Sequence, residues 1–301
     1  MLVRELGETQ LIAILSDILS QEGHARADPN PDIFGSRLVV PIGDDAAVWD
    51  GPKGLTASTS DALVEGVHFD QRLIGWKDLG WKSIAVNFSD LAAMGCSPLY
   101  IQVTLGLRGD LPVDAIEDLY LGMSEACSEH GGRIVGGDIV RSPTVFVAVS
   151  MVGASASPEL AQKKHELMLR GTGSEGQILA VTGPLGCSRG GLTMLSKQMN
   201  FDSVTADHLK NAHIRPTPRL AEGSLLASHG VTSAIDVSDG LLADLGKMCV
   251  GKGAVVHADL VPVDTYLKRA FPRDWQLMAL TGGEDYELAF AADAAIIEDL
   301  A

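Results

Sequence analysis

Seven aspartates stand where short apolar stretches or helices end, which is where side chains from different elements can gather around one site. The set is Asp44, Asp45, Asp61, Asp90, Asp138, Asp236 and Asp239. Taken singly, such an aspartate is equally typical of a turn or a helix N-cap, so Asp236 or Ser238 could simply start a helix at Leu241. Asp90 fits that interpretation poorly, because a negative charge near a helix C-terminus is unfavourable by about 0.3–1 kcal/mol.

Several converging carboxylates would repel one another unless cations lay between them. Oxygen ligands without a neighbouring Cys or His suit Mg²⁺, Mn²⁺ or Ca²⁺ rather than zinc. Mg²⁺ usually takes one or two carboxylates and completes its shell with water and phosphate. Six or seven acids therefore predict several ions around a polyphosphate.

The usual phosphate-binding loops are missing from the sequence. No Gly-x-x-x-x-Gly-Lys-Ser/Thr segment occurs, and residues 171–176, which match Gly-x-Gly-x-x-Gly, precede a predicted strand instead of opening a helix. We therefore interpret residues 171–176 as a turn. Metal ions and glycine-backed turns are expected to hold the nucleotide.

Composition narrows the class of protein further. The net charge is −16, with 39 acidic and 23 basic residues, which disfavours nucleic-acid binding. No apolar run approaches the roughly 20 residues of a membrane span, and no secretory signal is recognisable, so we expect a cytoplasmic protein with no membrane partner. The four cysteines form no Cys-x-x-Cys pair, which predicts reduced core thiols.

The elements that must position the aspartates alternate between strands and helices. Helical spacing of apolar residues predicts helices at 11–19, at 78–94 and after Pro112. Short apolar runs predict strands near 38–42, 55–59, 100–107, 133–135, 144–152 and 177–182. We expect the second of these strands to end at Ser60-Asp61, the fourth to deliver Gly136-Gly137-Asp138, and residues 183–191 to form a glycine-rich loop. This order predicts an α/β (α+β) protein of two domains, with a boundary in the polar segment 153–166.

Seven motifs in order resemble those of the thiamine-monophosphate kinase family, over about residues 7–290. They are Gly43-Asp44-Asp45, Asp61-Ala62-Leu63-Val64-Glu65-Gly66-Val67-His68, Asn87-Phe88-Ser89-Asp90, Gly136-Gly137-Asp138, Arg215-Pro216-Thr217-Pro218-Arg219, Asp236-Val237-Ser238-Asp239-Gly240 and Gly282-Gly283-Glu284-Asp285-Tyr286. One such motif is weak evidence, whereas seven in order are highly specific.

The resemblance implies a two-domain aminoimidazole ribonucleotide synthetase-like fold. Residues 1–153 would form an N-terminal domain for ATP, Mg²⁺ and dimerisation, and residues 154–301 a C-terminal α/β domain without the family's final segment. The implied reaction is ATP- and Mg²⁺-dependent phosphorylation of thiamine monophosphate to thiamine diphosphate, by a homodimer. The substrate phosphate has a second pKa of about 6, so it is largely ionised at neutral pH and no general base is assigned.

Site residues carry over motif by motif as implications of the resemblance. The implied Mg²⁺ ligands are Asp45, Thr59, Ser60, Asp61, Asp90, Asp138, Asp236 and Asp239. The implied ATP contacts are Tyr120, Gly137, Asp138, Arg170 and Ser238. The implied thiamine monophosphate contacts are His68 and Glu284. Asp44 is expected to have a role in a turn, or to hold the metal ligands in place without contacting the ion itself.

Two other functions remain open from the sequence. One is another ATP-dependent enzyme of the same fold, of the selenophosphate or purine-pathway synthetase type; selenophosphate synthetase relatives carry an N-terminal Cys or selenocysteine, and this chain has no Cys before Cys96. The other is a non-catalytic metal- or nucleotide-binding protein, which would bind Mg²⁺ and ATP without turnover.

Overall fold

The computed structural model describes residues 1–24, 35–42, 46–52, 54–155 and 167–300. The chain divides into two compact units, one of residues 1–87 and 97–162 and the other of residues 88–96 and 163–301. The predicted boundary after residue 153 stays a prediction, because residues 156–166 lie outside the described part of the chain.

The first unit is built on a four-stranded sheet. Its elements are α1 Val3–Leu6, α2 Glu8–Gln21, β1 Arg37–Val40, β2 Val48–Asp50, β3 Thr56–Val64, α3 Trp76–Ala93, β4 Cys96–Leu107, α4 Val113–His130, β5 Arg133–Arg141 and β6 Phe146–Ser155. The last turns of α3 and the first residue of β4 belong to the second unit. The sheet has the order β3-β6-β4-β5, and β1 pairs with β2 separately. Strand β3 is antiparallel to β6, and β4 is parallel to β5.

The second unit is built on a three-stranded antiparallel sheet of order β7-β9-β8. Its elements are β7 Ile178–Val181, α5 Cys187–Ser196, α6 Ser203–Ile214, α7 Leu220–Ser228, β8 Ser233–Asp236, α8 Leu241–Met248, α9 Thr265–Ala270, α10 Trp275–Thr281, β9 Leu288–Ala292 and α11 Ala294–Leu300. Alternate residues of β8 enter different cores, since Ala234 packs with Leu226 and Ile235 packs with Leu245. Both faces of this sheet are therefore covered.

The predicted α/β (α+β) class is confirmed by the mixture of helices and strands in both units. The predicted helices at 11–19 and 78–94 are confirmed by α2 and α3. Two predicted strand ends are wrong. Strand β3 continues to Val64 because it pairs with β6 along all nine of its residues, and β5 continues through Gly136-Gly137-Asp138 because it pairs with β4. Backbone pairing with a distant strand thus outweighs the local polar and glycine-rich pattern.

The predicted loop at residues 183–191 is also wrong from Cys187 onward, where α5 begins. Glycine normally weakens a helix, but here it permits close packing. A Cβ at Gly191 would lie 2.0 Å from the carbonyl oxygen of Leu209 in α6. Gly191 therefore permits the close contact between α5 and α6.

Candidate active site

Two of the predicted metal ligands meet in the second unit, where Asp236 ends β8 and Asp90 lies in the last turn of α3. Asp236 is 3% exposed, and its Oδ2 accepts a hydrogen bond of 3.0 Å from Ser89 Oγ. Burial and, next, the charge of Asp90 raise the pKa of Asp236 to about 7. The charge of Arg170 acts in the opposite direction, so a predicted ATP contact also lies near enough to act on this carboxyl.

This acidic pair suits an oxygen-coordinated divalent cation, which would relieve the repulsion between the buried Asp236 carboxylate and that of Asp90. Within the described ranges, no three His, Cys, Asp or Glu side chains are grouped so that they could hold an ion by themselves. A Mg²⁺ ion bound by one or two carboxylates and completed by water and phosphate is compatible with that arrangement.

The raised pKa of Asp236 predicts a stability that depends on pH. In the unfolded chain this carboxyl loses its proton near its ordinary pKa of 3.8, whereas in the folded protein it keeps the proton up to about pH 7. The folded state therefore binds more protons in this window, and its stability falls as the pH rises from about 4 to about 7.

Asp236→Asn has no such proton to lose. The free energy of unfolding of this variant relative to wild type, measured by urea titration with a chelator present, should increase between pH 5 and pH 8. Comparing the two proteins removes the contribution of Asp285, another carboxyl whose pKa is raised to about 7 by desolvation. A difference that stays constant with pH would contradict the raised pKa of Asp236.

Asp244 organises the loop that carries the next two predicted contacts. Its Oδ2 accepts hydrogen bonds from the backbone N–H groups of Ser238, Asp239 and Gly240, each at 3.0 Å. The Asp244 side chain is 1% exposed. Neither Asp236 nor Ser238 is the N-cap residue of α8, because that position is occupied by Gly240. One buried carboxylate in the first turn of α8 therefore fixes the loop.

Asp244 and Lys247 are site residues that the sequence reasoning missed. Lys247 Nζ lies 2.7 Å from Asp244 Oδ1 and 2.5 Å from Asp239 Oδ2. The available signal was an acid in the first turn of a predicted helix with a lysine three positions later, a spacing that brings the two side chains onto one helix face.

A second loop pairs with the first. The N–H of Glu284 donates to the carbonyl oxygen of Ser238 at 2.8 Å, and the N–H of Tyr286 donates to that of Val237 at 2.9 Å. Glu284 and Tyr286 have positive φ angles of 66° and 53°, which the surrounding pairing must stabilise. A Cβ at Gly283 would lie 2.6 Å from the Ser238 oxygen, so glycine is required for this approach. A predicted ATP contact and a predicted substrate contact thus become neighbours.

The carboxylate of Glu284 faces helix α6. His213 Nδ1 lies 3.3 Å from Glu284 Oε2 and 3.1 Å from Ser188 Oγ. Glu284 is partly exposed, with 28% of its side chain accessible, whereas His213 is buried. Part of the Glu284 side chain therefore remains accessible to solvent while its carboxylate contacts His213.

A cavity of about 300 Å³ adjoins the loop that carries Glu284 and Asp285. Its lining residues are Pro184, Cys187, His208, Asn211, Ala212, Arg215, Pro216, Thr217, Arg219, Asp285 and Glu287. Arg219 Nε donates to Glu287 Oε2 at 2.7 Å, and Asp285 accepts the N–H groups of Gly186 and Ser188 at 2.6 and 3.1 Å. The acids of this cavity therefore already stabilise α5 and the segment that begins at Arg215.

Three predicted metal ligands of the first unit lie inside β3 instead of at its end: Thr59, Ser60 and Asp61. Ser60 Oγ donates to the carbonyl oxygen of Val149 on β6 at 3.1 Å. The N–H of Asp61 donates to Asn87 Oδ1 at 3.1 Å, and Asn87 is fully buried in α3. The asparagine of the Asn87-Phe88-Ser89-Asp90 motif thus holds the backbone at Asp61.

Gly137 and Asp138 lie on β5, beside β4. A Cβ at Gly137 would lie 1.8 Å from the carbonyl oxygen of Val103, so only glycine fits. Strands β3 and β5 are the outer strands of the four-stranded sheet. Two intervening strands put Asp61 and Asp138 roughly 14 Å apart in the direction across the sheet, so this unit does not bring them together.

The remaining predicted residues are placed as follows. Tyr120 is buried in α4, and burial raises the pKa of its phenol. His68 is exposed, and its Nδ1 accepts the N–H of Val64 at 3.1 Å. Asp45, with Asp44, lies outside the described residues. The ligand roles of all these residues stay predictions.

Comparison with known proteins identifies relatives along most of the chain. Residues 43–155 match the model of the AIR synthase related protein, N-terminal domain. A thiamine-monophosphate kinase of Buchnera aphidicola (Schizaphis graminum) is 35% identical over 264 residues, which is 86% of this chain and 78% of that protein.

Solved structures agree with this match. Thiamine-monophosphate kinase from Stenotrophomonas maltophilia has a TM-score of 0.79 and 33% identity, over 87% of this chain and 83% of that one. A structure described as AaThiL complexed with AMPPCP and TMP has a TM-score of 0.74 and 28% identity, over 98% and 88% of the two chains. The predicted AIR synthase-like fold of two domains is therefore confirmed. Among the described helices, none has the length and apolarity needed to cross a bilayer.

Proposed function

We propose a reaction for this chain, which belongs to the thiamine-monophosphate kinase family of phosphotransferases. The proposed reaction is transfer of the γ-phosphoryl group of ATP to the phosphate of thiamine monophosphate, giving thiamine diphosphate. A relative described in complex with AMPPCP, an ATP analogue, and TMP supports both substrates.

One observation carries the proposal beyond the family name. The backbone hydrogen bond between Glu284 and Ser238 makes neighbours of a proposed substrate contact and a proposed ATP contact. The acidic pair of Asp236 and Asp90 belongs to the same unit, with Asp236 two residues before Ser238. Phosphoryl transfer depends chiefly on such positioning and on neutralising charge.

Mg²⁺ is the proposed metal, present as several ions. The proposed ligands are Asp45, Thr59, Ser60, Asp61, Asp90, Asp138, Asp236 and Asp239. When bound, Mg²⁺ neutralises the charge of the polyphosphate and orients it. The chain itself would supply oxygen ligands, and Asp244 holds the backbone of the loop that carries Asp239.

The two substrates meet different side chains in this proposal. Arg170 and Ser238, with Tyr120, Gly137 and Asp138, contact ATP. Glu284 and His68 contact thiamine monophosphate, and the partly exposed Glu284 carboxylate stabilises the cationic thiazolium ring. No side chain acts as general base, because the attacking phosphate is largely ionised at neutral pH.

A homodimer that forms through residues 1–153 is also proposed. Outer strands β3 and β5 of the first unit both carry proposed ligands. A two-fold interface uses the same surface on both subunits, so such an interface at this sheet would bring proposed ligands of two copies near one another.

The test is direct. Purified protein incubated with ATP, Mg²⁺ and thiamine monophosphate should form thiamine diphosphate and ADP in equal amounts, detected by chromatography, and a chelator should stop the reaction. Turnover of aminoimidazole precursors without that product would favour the same-fold synthetase alternative. Binding of Mg²⁺ and ATP without any product would favour the non-catalytic alternative.

A further inference from the structure

Lys247 on α8 reaches back over the loop that carries Asp239. Its ammonium group lies 2.5 Å from Asp239 Oδ2 and 2.7 Å from Asp244 Oδ1. The bond to Asp239 and then that to Asp244 raise the pKa of Lys247, so the side chain is a permanent cation. It already occupies one side of a carboxylate that the proposed reaction assigns to a metal ion.

The two contacts of Lys247 differ in their surroundings. The Asp244 side chain is 1% exposed and also holds three backbone N–H groups. The Asp239 side chain is 67% exposed and Lys247 itself 41% exposed. An ion pair open to water is weak and easily replaced, whereas a buried carboxylate keeps its partner because an uncompensated buried charge is costly. Only the Asp239 contact is therefore easily exchanged.

We propose that Lys247 is a built-in counter-ion of Asp239, which holds this carboxylate while no metal is bound and leaves it when a divalent cation arrives. The inference rests on the proposed role of Asp239 as a metal ligand. Since Lys247 remains anchored by Asp244, its charge stays near the ion and continues to oppose binding. Lys247 thus lowers the affinity of the Asp239 position for divalent cations.

Lys247→Met keeps the length of the side chain and removes the charge. Without substrates, this variant should bind Mn²⁺ at the Asp239 position about 5-fold more tightly than wild type, the size of one exposed ion pair that no longer has to be broken. Lys247→Arg keeps the charge and should stay close to wild type. Mn²⁺ affinity is measured by electron paramagnetic resonance of the free ion, so turnover is not needed.

Lys252→Met is the matched control. Lys252 is an exposed lysine of the same unit, and its ammonium contacts the carbonyl oxygens of Gly171 and Gly173 instead of a carboxylate. Its removal should leave Mn²⁺ affinity unchanged. An equal gain in Lys252→Met would mean that net charge alone accounts for the effect, which would overturn the proposal.

Asp239→Asn separates failure of this inference from failure of the proposed function. The gain from Lys247→Met should disappear when both substitutions are combined, because the two side chains act as a pair. Weaker Mn²⁺ binding by Asp239→Asn with no gain in Lys247→Met would overturn the counter-ion role and leave the metal ligand in place. Unchanged Mn²⁺ binding by Asp239→Asn would overturn both the counter-ion role of Lys247 and the assignment of Asp239 as a metal ligand. Lys247→Gln repeats the measurement if Lys247→Met does not fold.

Discussion

Asp236→Asn should lower the rate of thiamine diphosphate formation by at least about 10²–10³-fold, the range found when one group that stabilises transition-state charge is removed. The same variant should be more stable than wild type at pH 8 in the absence of metal. Burial and the charge of Asp90 disfavour the Asp236 carboxylate, and an amide carries no charge. Ser89 Oγ lies 3.0 Å from Asp236 Oδ2 in the wild-type protein and can also hydrogen-bond to the amide of the variant.

Both results come from one variant, measured by a coupled ADP assay and by urea unfolding. Asp207→Asn is the control, because Asp207 is an exposed aspartate of α6 in the same unit. It should change neither quantity. A near-normal rate in Asp236→Asn would remove Asp236 from the proposed metal ligands, and reduced stability at pH 8 would show that its charge is compensated in the folded protein.

Asp244→Ala should destabilise the second unit by about 2–4 kcal/mol, because it leaves three backbone N–H groups without their acceptor. Turnover should fall as well, since the loop of Ser238 and Asp239 is no longer held in place. Urea unfolding gives the first quantity, and the same ADP assay gives the second at a temperature where the variant remains folded.

Two comparisons make the Asp244 result specific. Asp259→Asn changes an exposed aspartate of the same unit and should behave as wild type. Asp244→Asn keeps one oxygen acceptor but loses the charge that Lys247 contacts, so its loss of stability should be smaller than that of Asp244→Ala. A wild-type unfolding midpoint in Asp244→Ala would show that solvent replaces the carboxylate without cost.

Hydrophobic periodicity predicts the helices α2, α3 and α4, because their buried faces are local in sequence. Helix α3 is an example, with Ile84, Phe88 and Leu91 all buried along one stripe. The strand ends at Ser60 and Val135 are wrong for a different reason. Their length depends on partners on β6 and β4, which no local pattern contains.

The site shows the same contrast. Spacing alone indicates that carboxylates could converge, and the structure brings Asp90 and Asp236 together although 147 positions separate the hydrogen-bonded pair Ser89 and Asp236. The position of the aspartates at the ends of predicted elements selects the candidates, and the family resemblance assigns their individual roles. Asp244 was missed because its work is to accept backbone N–H groups, which no motif of reactive side chains reveals.

The pairing of the two loops has a consequence for where the chain tolerates insertions. Asp236 pairs with Leu288 across β8 and β9, so one residue added between Tyr286 and Leu288 would turn β9 over and move Glu284 away from Ser238. Residues 253–255, between these loops in sequence, are exposed and belong to no helix or strand. A peptide tag or a fluorescent reporter inserted there should be accommodated with little effect on either loop.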